Sequence, residues 1–198
     1  MIRLSTRWFI GMLALSLVTH TLAYANPYVI DRAHSSVSFK VNHLGLSAVQ
    51  GQFKRYKSTV HWSESEPSKS SISTRIDVDS IDTGIKKRDK HLRASDFFDA
   101  DQYPHIRFKS TAITKQSDTE YTMNGHLTIK DKTHPVTIPI SVIGTGVGPR
   151  GKERIGLSGQ FSINRFDYGV EWKNKLKNGT LIVSDRVTIL LTIQLVKQ

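Results

Sequence analysis

The chain has 198 residues, with 28 Lys and Arg against 17 Asp and Glu, a net charge of +11, and no cysteine. The absence of thiols excludes cysteine nucleophiles, thiolate zinc sites and iron–sulfur clusters. At this length a full hydrophobic core forms without disulfide staples.

Residues 1–25 differ in kind from the rest of the chain. Arg3 and Arg7 precede an apolar run from Trp8 to Val18, and the triplet Ala23-Tyr24-Ala25 comes after it. This order is that of a secretory signal peptide, with a small-x-small cleavage point before Asn26. The apolar run is about 11 residues long, short of the roughly 20 that a membrane-spanning helix needs. No cysteine lies beyond the cleavage point, which excludes lipid attachment there. Export to the periplasm is therefore expected, leaving residues 26–198 as one domain with 26 basic and 17 acidic residues, a net charge of +9.

Strands are predicted at 28–31, 35–43, 51–62, 71–79, 105–113, 120–130, 135–146, 153–165 and 185–196, with room for another between 168 and 184. The reason is period-two alternation, which puts every second side chain on one face. Near the C-terminus Val187, Ile189, Leu191, Ile193 and Leu195 occupy consecutive odd positions, so they line one apolar surface. The same rhythm runs through Val37, Phe39 and Val41, through Ile72 and Ile76, through Leu127 and Ile129, through Val136, Ile138 and Ile140, and through Leu157, Phe161 and Ile163. Turn chemistry fills the gaps: a polar loop at 63–71, hairpin signals at 130–133 and Asn178-Gly179. Only 85–98 reads as helical, because Ile85, Leu92 and Phe98 do not alternate. Such a chain is all-β, an antiparallel barrel of about eight strands with one short helical insertion, and a sandwich is its main rival. At that strand number the interior either fills with side chains or holds one small ligand, and periodicity does not decide between them.

Catalytic motifs fail on inspection. None of the seven histidines after residue 25 sits with a carboxylate at a metal-binding spacing. Gly156-Leu157-Ser158-Gly159 lacks the glycine that a nucleophile elbow needs at position 160, which is Gln160. Gly146 to Glu153 keeps a phosphate-loop spacing as far as Lys152, then has Glu153 where Ser or Thr must hold magnesium, and a strand where a helix must begin. It reads as a hairpin. The excess positive charge is spread over turns and polar strand faces, and no recognition helix, zinc finger or aromatic platform accompanies it, so nucleic acid is not an expected partner. A weak attraction to anionic membrane surfaces is compatible with it.

Four ordered blocks carry a family likeness: residues 34–53 (HSSVSFKVNHLGLSAVQGQF), 80–110 (SIDTGIKKRDKHLRASDFFDADQYPHIRFKS), 125–136 (GHLTIKDKTHPV) and 163–170 (INRFDYGV). Together they resemble the YceI-like family of exported lipid-binding proteins. The resemblance implies a lipocalin-like extended antiparallel barrel with a helix near its mouth and a long apolar cavity. It also implies a ligand of polyisoprenoid type or a similar long-chain amphiphile such as an isoprenoid quinone, with no cofactor and no metal. On alternation and the motif match together, the apolar cavity residues are expected to be Phe39, Val41, Phe53 and Ile76 from the first half; Leu92, Phe97, Phe108, Leu127, Ile129 and Ile138 from the middle; and Phe161, Ile189, Leu191 and Ile193 from the end. His43, Arg88 and His91 are the expected polar mouth, although Arg88 and Asp89 also read as a structural ion pair fixing the helical insertion. The expected function is a non-enzymatic periplasmic carrier; an enzyme acting on an amphiphile and a ligand-free interaction or stress module are the alternatives. A homodimer is compatible with an extended barrel that has apolar residues near its mouth.

Overall fold

The computed structural model describes residues 25–198; the signal-peptide expectation lies outside the described residues except for Ala25. Eleven strands and one α-helix succeed one another in order: β1 Asn26–Ile30, β2 Ser36–His43, β3 Ser47–Phe53, β4 Tyr56–Trp62, β5 Ser71–Asp77, β6 Ile81–Asp82, α1 Lys86–Arg93, β7 His105–Lys115, β8 Glu120–Ile129, β9 Lys132–Val147, β10 Glu153–Asn164 and β11 Val183–Lys197. They form one antiparallel sheet. Its order β1-β4-β5-β7-β8-β9-β10-β11 is closed by a β1–β11 pairing into a barrel of eight strands, and β2, β3 and β6 extend from β11. Closure removes the sheet edges from this end of the molecule.

The extension is made by three neighbouring strands that bend. β1 pairs with residues 195–197 of β11, and β2 continues along the same strand from Thr192 to Val183. The predicted single strand 51–62 is in fact β3 and β4, broken at Lys54-Arg55. Ser80 fixes the break: its carbonyl accepts from Lys54 N at 3.1 Å and its hydroxyl from Arg55 N at 3.0 Å. The inward set changes parity across the bend, from Gly51 and Phe53 to Tyr56, Val60 and Trp62, all buried. Ser35 does similar work between β1 and β2, where its hydroxyl accepts from Gln194 N at 2.9 Å. Beyond the bends β6 pairs only with β3, and α1 packs against it past Asp77, where the β5–β7 pairing stops.

The helix is shorter than predicted. It covers Lys86–Arg93 rather than 85–98, because Ala94 turns extended and 95–98 becomes tight turns that drop Phe97 into the core. Where a further strand is expected between 168 and 184, the structure holds an isolated Lys175–Leu181 bridge around a turn with Gly179 at φ 85°, and the next strand is β11, which begins at Val183. Residues 148–152 form the turn of the β9–β10 hairpin, with Gly148 N donating to Lys152 O at 2.9 Å. In that hairpin Ile143 is an extra residue, since Gly156 pairs with Gly144 and Leu157 already with Val142. A bulge of this kind turns a side chain away from the interior, and Ile143 is exposed.

Candidate functional site

Two groups of buried side chains occupy the barrel. One packs the closed end: Trp62, Tyr121 and Leu195 are 2%, 2% and 1% exposed, and the Trp62 and Tyr121 rings lie 5.0 Å apart. Around them Val60, Ile113, Met123, Ile138 and Ile155 are buried as well. The other gathers beneath the helical segment, where Phe53, Val78, Ile81, Phe97, Tyr168 and Val170 are buried. Between the two lies a cavity of about 210 Å³.

The wall of the cavity is almost wholly hydrocarbon. β2 contributes Val37, Phe39 and Val41; Phe53 and Ile76 come from β3 and β5; Phe108, Leu127, Ile129 and Ile138 from β7, β8 and β9; Phe161, Ile189, Leu191 and Ile193 from β10 and β11. Leu92 and Phe97 close the side next to β6, joined by Phe98. Thus the fourteen apolar positions singled out in the sequence converge on one space. Many are only half-buried although they point inward, Phe39, Phe108, Phe161, Ile189 and Leu191 among them, because part of each side chain faces the cavity. Glycine makes room for two of the rings. A Cβ at Gly51 would overlap the ring of Phe39, its partner across the β2–β3 ladder, and a Cβ at Gly125 would overlap that of Phe108.

Polar groups on the wall are few and mostly satisfied. Ser58 and Thr74 are cross-strand partners whose hydroxyls bond each other at 2.9 Å. Arg165, 5% exposed, donates to four main-chain carbonyls: Ser184 at 2.9 Å, Val170 at 2.6 Å, Trp172 at 2.8 Å and Val183 at 3.0 Å. Burial pushes its pKa below the usual guanidinium value, and the nearby Asp185 opposes that shift. A buried cation held by carbonyls in place of a carboxylate ties the 170–184 segment to the base of β10. Sequence reasoning placed Arg165 in a family motif and assigned it no role. Its signal is a lone arginine ending an apolar-alternating strand. Tyr56 was also missed, because the bend at 54–55 shifts the inward parity; its hydroxyl is buried with no partner among the described residues, and burial raises its pKa.

The expected polar mouth is arranged differently. His43, Arg88 and His91 contribute nothing to the cavity wall. Arg88 and Asp89 do not pair with each other; both grip Thr83. Arg88 donates to the Thr83 hydroxyl at 2.7 Å and carbonyl at 2.8 Å, while the buried Asp89 carboxylate accepts from Thr83 N at 2.9 Å and from its hydroxyl at 2.5 Å. Two adjacent helical residues point in different directions, and the loop entering the helix supplies the atoms that satisfy both. His91 bonds Asp96 at 2.8 Å and lies edge-on to the rings of Phe97 and Trp172. His43 ends β2 opposite Ser47 at the start of a hairpin. Among the described residues no three His, Asp or Glu side chains converge to hold a metal ion.

A closed eight-stranded antiparallel barrel with a dry interior space is a lipocalin-like barrel, the class that encloses an apolar guest. The chain belongs to the YceI-like domain family, whose pattern matches residues 28–195. A UPF0312 protein of Vibrio cholerae is 36% identical over 151 residues, covering 75% of this chain and 80% of that protein. The crystal structure of Burkholderia cenocepacia BcnA superposes with a TM-score of 0.73 at 30% identity, over 83% of this chain and 98% of that one. A polyisoprenoid binding domain from Saccharophagus degradans shares the fold alone, at a TM-score of 0.64 and 14% identity, over 87% of this chain and 99% of that domain.

Proposed function

We propose that this protein binds a long-chain isoprenoid-type lipid in the barrel cavity and carries or stores it in the periplasm without altering it chemically. The observation that carries this reading is the cavity itself: about 210 Å³ walled by hydrocarbon from both halves of the chain. That space is far larger than the roughly 10–15 Å³ a single water needs. Water is a poor occupant, because each molecule needs two to four polar partners and the wall offers few. A hydrocarbon chain gains about 0.8 kcal/mol per methylene removed from water. Transfer between a bilayer and this cavity is nearly neutral, since both are dry, so the same site can load and unload.

The absence of His, Asp, Glu or Lys from the wall supports binding over catalysis. The leader-like residues 1–25 support the periplasmic location, and the name of the Saccharophagus neighbour supports the ligand class. The test is to purify the protein from the periplasm of its host and identify what organic solvent extracts from it. A stoichiometric polyprenyl chain or isoprenoid quinone is expected. Repeated recovery of protein without lipid overturns the reading.

A further inference from the structure

A row of unpaired cations crosses the outer wall of the barrel. Lys57 on β4 stands directly opposite Arg75 on β5, and Arg75 opposite Arg107 on β7. Lys109 lies two residues further along β7, opposite Ser73. All four are exposed. Directly opposed side chains have Cβ atoms about 5 Å apart, and like charges there destabilise a sheet. Several lysines elsewhere are matched with carboxylates, as in Lys54–Asp82, Lys115–Asp118, Lys132–Asp131 and Lys197–Glu153. On this wall no side-chain hydrogen bond or ion pair reaches Lys57, Arg75, Arg107 or Lys109 among the described residues. The nearest outward carboxylate on β5, Asp77, is already shared by Arg55 and His105. On the other flank the row ends in Thr128 and Thr133, whose hydroxyls bond each other.

We propose that this wall docks on the surface of an anionic phospholipid bilayer. A repulsive row retained on a smooth sheet face has its charges neutralised when phosphates lie against it, and hydroxyls beside it can donate to the same phosphates. The face carries no helix to enter a groove and no aromatic platform for bases, so nucleic acid lacks its usual partners there. Position also favours a bilayer. The inward neighbours Tyr56, Ile76 and Ile106 form part of the cavity wall, and the row stands beside the end of the β5–β7 ladder at Asp77 and His105. Docking therefore brings the end of the β5–β7 ladder, where α1 packs on β6, close to the bilayer. The choice of a bilayer over other polyanions rests on the lipid-carrying reading.

Flotation of the purified protein with vesicles tests it. Binding is expected to phosphatidylcholine vesicles containing about one-third phosphatidylglycerol, weak binding to phosphatidylcholine alone, and release as salt shortens the screening length. At about 1 kcal/mol per basic residue at such a surface, Lys57→Gln/Arg75→Gln/Arg107→Gln should bind about a hundredfold more weakly, and Arg75→Gln alone about fivefold. The triple variant should unfold at the same or a higher midpoint than wild type, because repulsion is removed. Lys115→Gln/Lys132→Gln/Lys197→Gln removes the same charge elsewhere and should leave binding near wild type. Equal loss in that control, wild-type binding by the triple variant, or binding of the wild type to heparin and not to the anionic vesicles overturns the proposal. Vesicle binding by a protein that yields no lipid on extraction upholds the docking face and overturns the cargo reading.

Discussion

The closed end of the barrel and the space above it are built from the same alternating strands, yet one is solid and the other hollow. At the closed end the inward positions hold Trp62, Tyr28, Tyr121 and Ile113, which pack together with no space between them for the cavity. Higher up, the inward positions include Ser58, Thr74, Gly51 and Gly125, and the rings of Phe39 and Phe108 lie back over those glycines against the wall. Side-chain volume at inward positions, and not the pattern of apolar residues, therefore decides where a barrel is a core and where it is a container.

That contrast can be broken most forcefully at the closed end. Trp62→Ala or Ile155→Ala opens a new void among closed-end side chains that do not line the cavity, and each is expected to lower unfolding free energy by about 3–5 and 2–5 kcal/mol respectively in urea denaturation. Leu191→Ala, half-buried and facing the existing cavity, enlarges a space already present rather than opening a new one and should cost under about 2 kcal/mol, while weakening lipid retention. Equal costs at Leu191 and Ile155 would show that the two regions are packed alike. A smaller effect is shared by both ends. Burial raises the hydroxyl pKa of Tyr28, Tyr56 and Tyr121, and that of Tyr168 is pushed up to about 12 with help from the Asp167 charge. Unfolded tyrosines titrate near 10, so above that pH the unfolded state binds fewer protons than the folded one. Stability is then full below about pH 10 and falls as pH rises toward 12. Tyr168→Phe should flatten this fall, which thermal melts across the alkaline range measure. The smallest effect is Tyr56→Phe: it removes a buried hydroxyl without a partner, so the empty protein should be unchanged or up to about 1 kcal/mol more stable.

Much of this architecture was legible in the residues. The odd-numbered run Val187 to Leu195 marks β11, and the barrel closes around it. What escaped was the bend. A strand read as continuous from 51 to 62 changes its inward parity between Phe53 and Tyr56, and that switch is visible in the sequence once the role of Ser80 is known. The apolar wall was legible because alternation and family motif agree on it. The polar end was not, because Arg88, Asp89 and His91 carry chemistry suited to a ligand but are satisfied by Thr83 and Asp96, partners that only the folded loop supplies. Whether the lumen is filled depends on three-dimensional volumes that a period of two does not encode.

A long-chain lipid bearing a photoactivatable group, mixed with the protein and mapped by peptide mass spectrometry after irradiation, tests the hollow half directly. Labels on Phe39, Phe161, Ile189 and Leu191, with none on Trp62 or Tyr121, are the predicted result. Labels confined to the outer wall, or spread evenly over both ends, would contradict a lipid held inside the barrel.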